Sequence, residues 1–260
     1  LFLGGPGNIS ESAISYFLDN GDTVAVIKRT KGGLMGFEGK IAVYYGDRDR
    51  LDVLLPVFSE FQPDIVIDCT CFEIKQAETV VRALYTVPCR RLIFISTADV
   101  YGYPLTNLPM HEDDPWNKPN GKYAEDKKAI EALYQRAFWN RRPALTIVRP
   151  GYSLGKTFAL TSFERNRGQH LITRIRQGKP VYSPGDGTTL IDAGAAFNTG
   201  RMLARICENE NTIGQAYNCA NDHAVTYDDY LQAFASALGK TVHIVHIPTD
   251  FMFSLGRQEV

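Results

Sequence analysis

Tyr123 and Lys127 stand four residues apart in Tyr123-Ala124-Glu125-Asp126-Lys127, and the stretch Ala124–Phe138 has helical periodicity. Side chains at i and i+4 share one helix face, so the phenol and the ammonium can converge. A tyrosine with an unperturbed pKa of about 10 is a poor base at neutral pH. A neighbouring ammonium stabilises the phenolate and lowers that pKa, which is the tuning proton transfer needs. With 13 tyrosines in the chain, the spacing alone arises readily by chance. A second feature adds weight. Ser96-Thr97-Ala98-Asp99-Val100-Tyr101-Gly102 follows directly on the apolar run Leu92–Ile95. Open α/β sheets gather their chemistry at the carboxyl ends of parallel strands, and Thr97 would put a hydroxyl there. A Ser/Thr turn that only ends a strand has the same composition.

A glycine-rich turn supplies the third feature. Gly4-Gly5-Pro6-Gly7-Asn8-Ile9-Ser10 lies between Leu1-Phe2-Leu3, which reads as the end of a strand trimmed at its start, and a helical segment. In that segment Ile9, Ala13, Tyr16 and Phe17 share a face, and Asn20-Gly21 ends it. Gly4 would permit a tight turn, Gly7 would let backbone amides approach a pyrophosphate, and the helix N-terminus would add partial positive charge. Glycines mark any strand-to-helix turn, so the flanking strand and helix carry the argument. Lys28-Arg29 closes the next apolar run. An acidic residue there would bind the ribose hydroxyls of NAD, whereas basic residues suit the extra phosphate of NADP. Two solvated charges at a strand end are the bland alternative. The expected cofactor is NADP or NAD, with NADP slightly favoured.

Five motifs, GGPGNIS, GDR, STADVYG, YAEDK and RPGYSLG, occur in the order found in the extended short-chain dehydrogenases/reductases. The chain resembles that family's NAD(P)-dependent epimerase/dehydratase branch, most strongly from Leu1 to Gly155. Ser10 replaces the last glycine of the family's G-x-x-G-x-x-G turn. The resemblance implies Tyr123 as general acid/base and Lys127 as its tuning partner and nicotinamide-ribose ligand, with Thr97 bonded to the reacting oxygen. It implies a cofactor set of Gly4, Gly7, Asn8, Ile9, Lys28, Arg29, Asp47, Arg48, Thr70, Tyr123, Lys127 and Pro150. Arg149-Pro150-Gly151 would wall the nicotinamide from the substrate. Dehydratases of the family carry an acidic pair after the threonine, as T-D-E-V-Y-G, and here Ala98 replaces the first acid. That ranks dehydration below epimerisation of a nucleotide-linked sugar or similar hydroxylated substrate. An NADPH-dependent ketoreductase is an alternative, and so is a non-catalytic binding member of the same fold.

Buried strands suit the apolar runs Thr23–Ile27, Ile41–Tyr45, Ile65–Ile67, Leu92–Ile95 and Leu145–Val148. Helical stretches, Glu73–Leu84 among them, alternate with them, which implies βαβ units and a parallel sheet covered on both faces. The expected fold is α/β, a Rossmann-like doubly wound sheet over residues 1–150. Residues 151–260 would be mainly a smaller substrate-binding domain. Helices are expected there near 168–177, 195–207 and 227–238, and a return to the sheet edge around Ala216–Asn218.

Lys+Arg at 28 against Asp+Glu at 29 give no basic excess for nucleic acid. The apolar runs are too short to span a bilayer, and nothing resembles a secretion leader, so a cytoplasmic enzyme is expected. Its partner would be a small-molecule substrate, and a homodimer is compatible with the sequence. Five scattered cysteines read as reduced, buried thiols, and no metal site is expected. His111 reads as an exposed loop residue, and His243 and His246 lack ligand partners nearby. Arg165, Arg167, Arg174, Arg176 and Lys179 form a basic run that is either a solvated face or, by the resemblance, a grip on a nucleotide diphosphate. Ile191–Ala196 fits poorly to the family's D-[LV]-A segment.

Overall fold

The computed structural model describes residues 1–139, 141–156 and 169–254. It divides the chain into two compact units, Leu1–Gly151 with Ala196–Cys219, and Tyr152–Ala195 with the residues from Ala220 onward. In the first unit β1 (Phe2–Leu3) leads to α1 (Ser10–Asp19), then β2 (Ala25–Lys28) and β3 (Ala42–Tyr45). Next come α2 (Leu51–Phe61), β4 (Ile65–Asp68), α3 (Ile74–Thr86) and β5 (Arg91–Ile95). The helix α4 (Lys122–Phe138) and β6 (Ala144–Pro150) follow. The second unit begins with β7 (Tyr152–Leu154), α5 (Gln169–Arg176), β8 (Val181–Pro184), β9 (Leu190–Ile191) and β10 (Ala193–Ala195). The chain then re-enters the first unit as α6 (Ala196–Glu208) and β11 (Ala216–Cys219). It ends in the second with β12 (Val225–Thr226), α7 (Tyr227–Ala237), β13 (Ile244–Ile247) and α8 (Thr249–Ser254).

The first unit is a seven-stranded sheet in the order β11-β6-β5-β4-β1-β2-β3, with every neighbouring pair parallel. The strand order reverses between β1 and β4, and in open α/β sheets the crevice at such a reversal takes ligands. Alternation along each strand covers both faces. Leu92 and Phe94 of β5 join a core with α2, α3 and α4, while Ile93 and Ile95 join one with α1 and α6. The expected α/β fold is therefore the observed one.

Two local readings need correction. The helix α2 carries Pro56 inside it, which removes one helical donor and masks the periodicity, and the sequence reading had no helix there. The β3 strand was expected to be buried, but Ala42 and Tyr45 are exposed, because β3 is the sheet edge with a single neighbour.

The α1 and α6 helices touch at Gly200. A Cβ there would lie 2.0 Å from Ser12 Oγ and 2.2 Å from the Ile9 carbonyl oxygen, so only glycine allows the contact. Ser12 Oγ donates to the Phe197 carbonyl 2.9 Å away and locks the crossing.

The second unit has its own core, built from Leu171, Ile175, Val181, Ile191, Tyr227, Tyr230, Leu231 and Ala235. In it β13 pairs parallel with β8, and Asp228 ties them to α7 by accepting from Ser183 Oγ at 2.7 Å and pairing with His246 at 2.8 Å. Of the basic run, Arg165 and Arg167 lie outside the described residues, and Arg174 sits 5.2 Å over the Tyr182 ring. None of the five cysteines is in a disulfide, and burial pushes Cys69 and Cys207 up to about 12 and Cys89 up to about 11. Among the described residues no helix is long and apolar enough to cross a membrane, and no cluster of metal-ligating side chains occurs.

Candidate active site

The β1 carboxyl end runs straight into the glycine turn. Gly4 has φ +91, and a Cβ there would lie 2.3 Å from the Thr70 methyl group. The turn after β4 thus presses on the turn after β1, with Thr70 Oγ1 donating to the Leu3 carbonyl at 3.1 Å. Gly7, Asn8 and Ile9 lead into α1, which begins at Ser10. Ser10, which stands where the family has glycine, is buried and accepts the Gly7 amide on its Oγ at 2.9 Å. The serine closes the turn on itself, so the Gly7 N–H is already partnered.

Arg48, which the resemblance put in the cofactor set, follows β3 and makes its contacts within the protein. It is buried, pairs with Asp68 at the end of β4 at 3.0 Å, and donates to the Thr70 carbonyl at 3.1 Å. It braces the Thr70 turn from behind. Asp47 holds its own turn by accepting the Asp49 amide at 3.1 Å. Lys28 donates to the carbonyls of Gly32 and Gly33, the latter at 3.3 Å, whereas Arg29 is exposed. Pro150 ends β6, in register with Cys219 of β11.

Thr97 follows β5 and is buried, and its hydroxyl accepts the Asp99 amide at 3.3 Å at the start of a 3-10 turn, Ala98–Tyr101. Tyr123 stands in the first turn of α4 and Lys127 one turn later. The Lys127 ammonium is fully buried, donates to the Ile95 carbonyl at 2.8 Å, and lies 5.9 Å from the Tyr123 ring centroid. Thr97, Tyr123 and Lys127 therefore gather around the end of β5.

The electrostatics differ from the sequence expectation. Although the residue is 46% exposed, desolvation of its hydroxyl pushes the Tyr123 phenol above the ordinary tyrosine range. The Thr97 hydroxyl acts the other way, and the Asp99 carboxylate adds to the rise. Burial pulls Lys127 below the ordinary lysine range, with Asp68 opposing. The ammonium is turned to a carbonyl and to aromatic faces, so without a cofactor it does not make the phenol acidic.

A buried network that the sequence did not announce fixes α4. Arg149 of β6 forms a forked pair with Glu131 of α4, at 3.1 Å from Nε and 2.9 Å from Nη2. Its Nη1 donates to the Tyr101 hydroxyl at 2.8 Å, which donates to Asn218 Oδ1 of β11 at 2.7 Å. One guanidinium thus joins α4, the Thr97 turn and β6. Glu131 lies one turn beyond Lys127, so Y-x-x-x-K-x-x-x-E was the available signal. Phe72 was missed too. Its ring centroid lies 4.9 Å from the Lys127 ammonium and 6.4 Å from that of Tyr123.

The residues present fit a dinucleotide by one observation besides motif: a Cβ at Gly7 would meet only Ser10 Oγ, 3.9 Å away, so the turn is open on that side at the strand-order reversal.

Comparisons with known proteins bear on the fold and the family. A 2'-dehydrokanamycin reductase of Streptomyces kanamyceticus is 25% identical over 96% of this chain and 70% of its own length. A UDP-glucose 4-epimerase of Halalkalibacterium halodurans is 27% identical, but the match covers 52% of this chain and 44% of that protein. Among solved structures, the Thermus thermophilus UDP-glucose 4-epimerase with NAD superposes with a TM-score of 0.74 at 19% identity, covering 100% of this chain and 93% of that one. The Thermotoga maritima UDP-glucose 4-epimerase with UDP-glucose gives 0.79 at 17% identity, covering 95% and 84%. At these identities the superpositions establish the fold. The family model described as the NAD dependent epimerase/dehydratase family matches residues 1–220, and the chain belongs to that family of extended short-chain dehydrogenase/reductase enzymes.

Proposed function

We propose that the chain is an NAD(P)-dependent epimerase acting on a nucleotide-linked sugar or a similar hydroxylated substrate. The observation that carries this reading is the meeting of Thr97, Tyr123 and Lys127 at the end of β5. Gly4, Gly7, Asn8, Ile9 and Thr70 would hold the dinucleotide, with Lys28 and Arg29 toward an NADP phosphate. A bound nicotinamide would supply and take back the hydride. Tyr123 exchanges the proton of the reacting hydroxyl, Thr97 bonds its oxygen, and Lys127 supports the phenolate form. With its phenol held above the ordinary range, Tyr123 is a proton donor at neutral pH in the ligand-free chain. Residues Tyr152–Ala195 and those from Ala220 onward would select the substrate. A cytoplasmic homodimer completes the proposal.

A specific observation favours a second reading, an NADPH-dependent ketoreductase. The reductase relative aligns over nearly the whole chain, whereas the epimerase relatives align over about half. Dehydration ranks last, because Ala98 replaces the first acid of the pair that follows the threonine in dehydratases, leaving Asp99.

Incubation with UDP-galactose, followed by nicotinamide absorbance and sugar NMR, separates these outcomes. An epimerase interconverts the sugars without added reductant, because hydride leaves and returns within one turnover. Stoichiometric NADPH loss with a keto substrate would replace the epimerase with the reductase. A 4-keto-6-deoxy product would overturn the exclusion of dehydration. Tyr123→Phe should lower turnover by about a hundredfold or more while cofactor affinity stays within a few-fold.

A further inference from the structure

The Lys127 ammonium is buried, and an ammonium has three hydrogen-bond donors to satisfy. One goes to the Ile95 carbonyl at 2.8 Å. The nearby carboxylate, Asp68, is turned to other partners: one oxygen accepts from Arg48 at 3.1 Å and from the Tyr134 hydroxyl at 2.6 Å, and the other lies 3.0 Å from Arg48 Nη1 without a hydrogen bond. Two rings compensate instead. The faces of Phe94, from β5, and Phe72, from the turn after β4, each lie 4.9 Å from the ammonium nitrogen. Phe94 is core, packed edge-on against Tyr134. Phe72 is 47% exposed and belongs to no core cluster, so its placement needs another cause.

That cause lies in its backbone. The Phe72 amide donates to Gln76 Oε1 at 2.6 Å, and the Glu73 amide donates to the same oxygen at 3.1 Å within the capping box of α3. The start of α3 therefore fixes where Phe72 leaves the chain. A cation over an aromatic face is attracted by the ring quadrupole, most strongly where water is scarce.

We propose that Phe72 is a positioning residue of the acid–base set, its ring face holding the Lys127 ammonium charged and beside Tyr123. This rests on the catalytic reading of Tyr123 and Lys127 given above. The titratable groups facing the ammonium are Asp68, Cys69 and Cys71 from β4 and its turn, and Glu131 and Tyr123 from its own helix. Arg48 stands behind Asp68. None of these groups is removed when Phe72 is replaced, and a leucine there keeps apolar cover over the ammonium, so a fall in the Lys127 midpoint reports the ring face.

The test is NMR titration of the full chain with 13C-labelled lysine ε-carbons, Lys127 being assigned by loss of its signal in Lys127→Met. In Phe72→Leu, which keeps apolar bulk without a quadrupole, the Lys127 signal should lose the part of its ring-current shift that Phe72 supplies, while Phe94 keeps the rest. Its midpoint should fall by about one pH unit, a tenfold loss in proton affinity. Phe72→Tyr should restore both. An unchanged or raised midpoint in Phe72→Leu would overturn the proposal, since packing alone leaves titration in place. The readout needs no substrate. If Tyr123→Phe keeps its turnover of UDP-galactose, the catalytic reading fails separately, while the titration still decides what Phe72 does to Lys127.

Discussion

Lys127 illustrates how a site residue can oppose folding. Its folded pKa lies below the ordinary value of 10.5 because burial disfavours the ammonium. The unfolded chain therefore binds that proton more tightly than the folded one. Stability rises with pH across the window between the depressed pKa and 10.5, and at neutral pH the buried charge is a cost. Lys127→Met should accordingly raise stability at neutral pH by on the order of 1 kcal/mol while removing turnover, with the gain shrinking as pH rises through that window. Chemical denaturation at several pH values would check it, and a destabilised variant at neutral pH would contradict the argument. Tyr123 offers a companion measurement. The difference in ultraviolet phenolate absorbance between the parent chain and Tyr123→Phe should titrate above 10.0 without cofactor. A midpoint near neutrality would mean that Lys127 acidifies the phenol unaided.

At the scale of elements, α4 is held by one charge pair whose partners lie in different strands and helices. Glu131 and Arg149 are both buried, so removing either charge alone strands the other. Glu131→Leu should cost about 3–5 kcal/mol, whereas Glu131→Leu with Arg149→Met should cost much less than the sum of the singles. A double-mutant cycle on unfolding free energy measures the coupling. Additive losses would show that the pair does not act as a unit. This network also marks where sequence reading stopped. Helical periodicity made α1, α3 and α4 legible, short apolar runs gave the central strands, and the helices expected near 168–177, 195–207 and 227–238 are α5, α6 and α7. Glu131, Arg149 and Asn218 meet only through the fold, and no local spacing ties an α4 glutamate to a β6 arginine. Phe72 was hidden for the same reason: its meaning depends on Lys127, far along the chain, and on a capping box that orients it.

For the whole molecule, the order of motifs along the chain was enough to identify the family, because four of the five follow the carboxyl ends of strands that the parallel sheet brings to one edge, and YAEDK opens α4, which brings its lysine back to the end of β5. What motif order could not give was the use already made of each side chain. Arg48 matched a cofactor motif yet serves Asp68, and Lys28 bends back to Gly32 and Gly33. That leaves Arg29, exposed directly after β2, as the better placed cation, and a guanidinium fits a phosphate in two places at once. The solved relatives named above include one holding NAD, so the choice of cofactor is a sharp test. A ligand that binds only the folded chain stabilises it by about 2.7 kcal/mol at a hundred times its Kd. At equal concentrations NADP should therefore raise the Tm of the parent chain more than NAD does. Arg29→Asp should reverse that order by repelling the extra phosphate, and Lys28→Ala should change it less, since the lysine is already bonded to the loop. A larger rise with NAD in the parent chain would reduce Lys28 and Arg29 to solvated charges at a strand end.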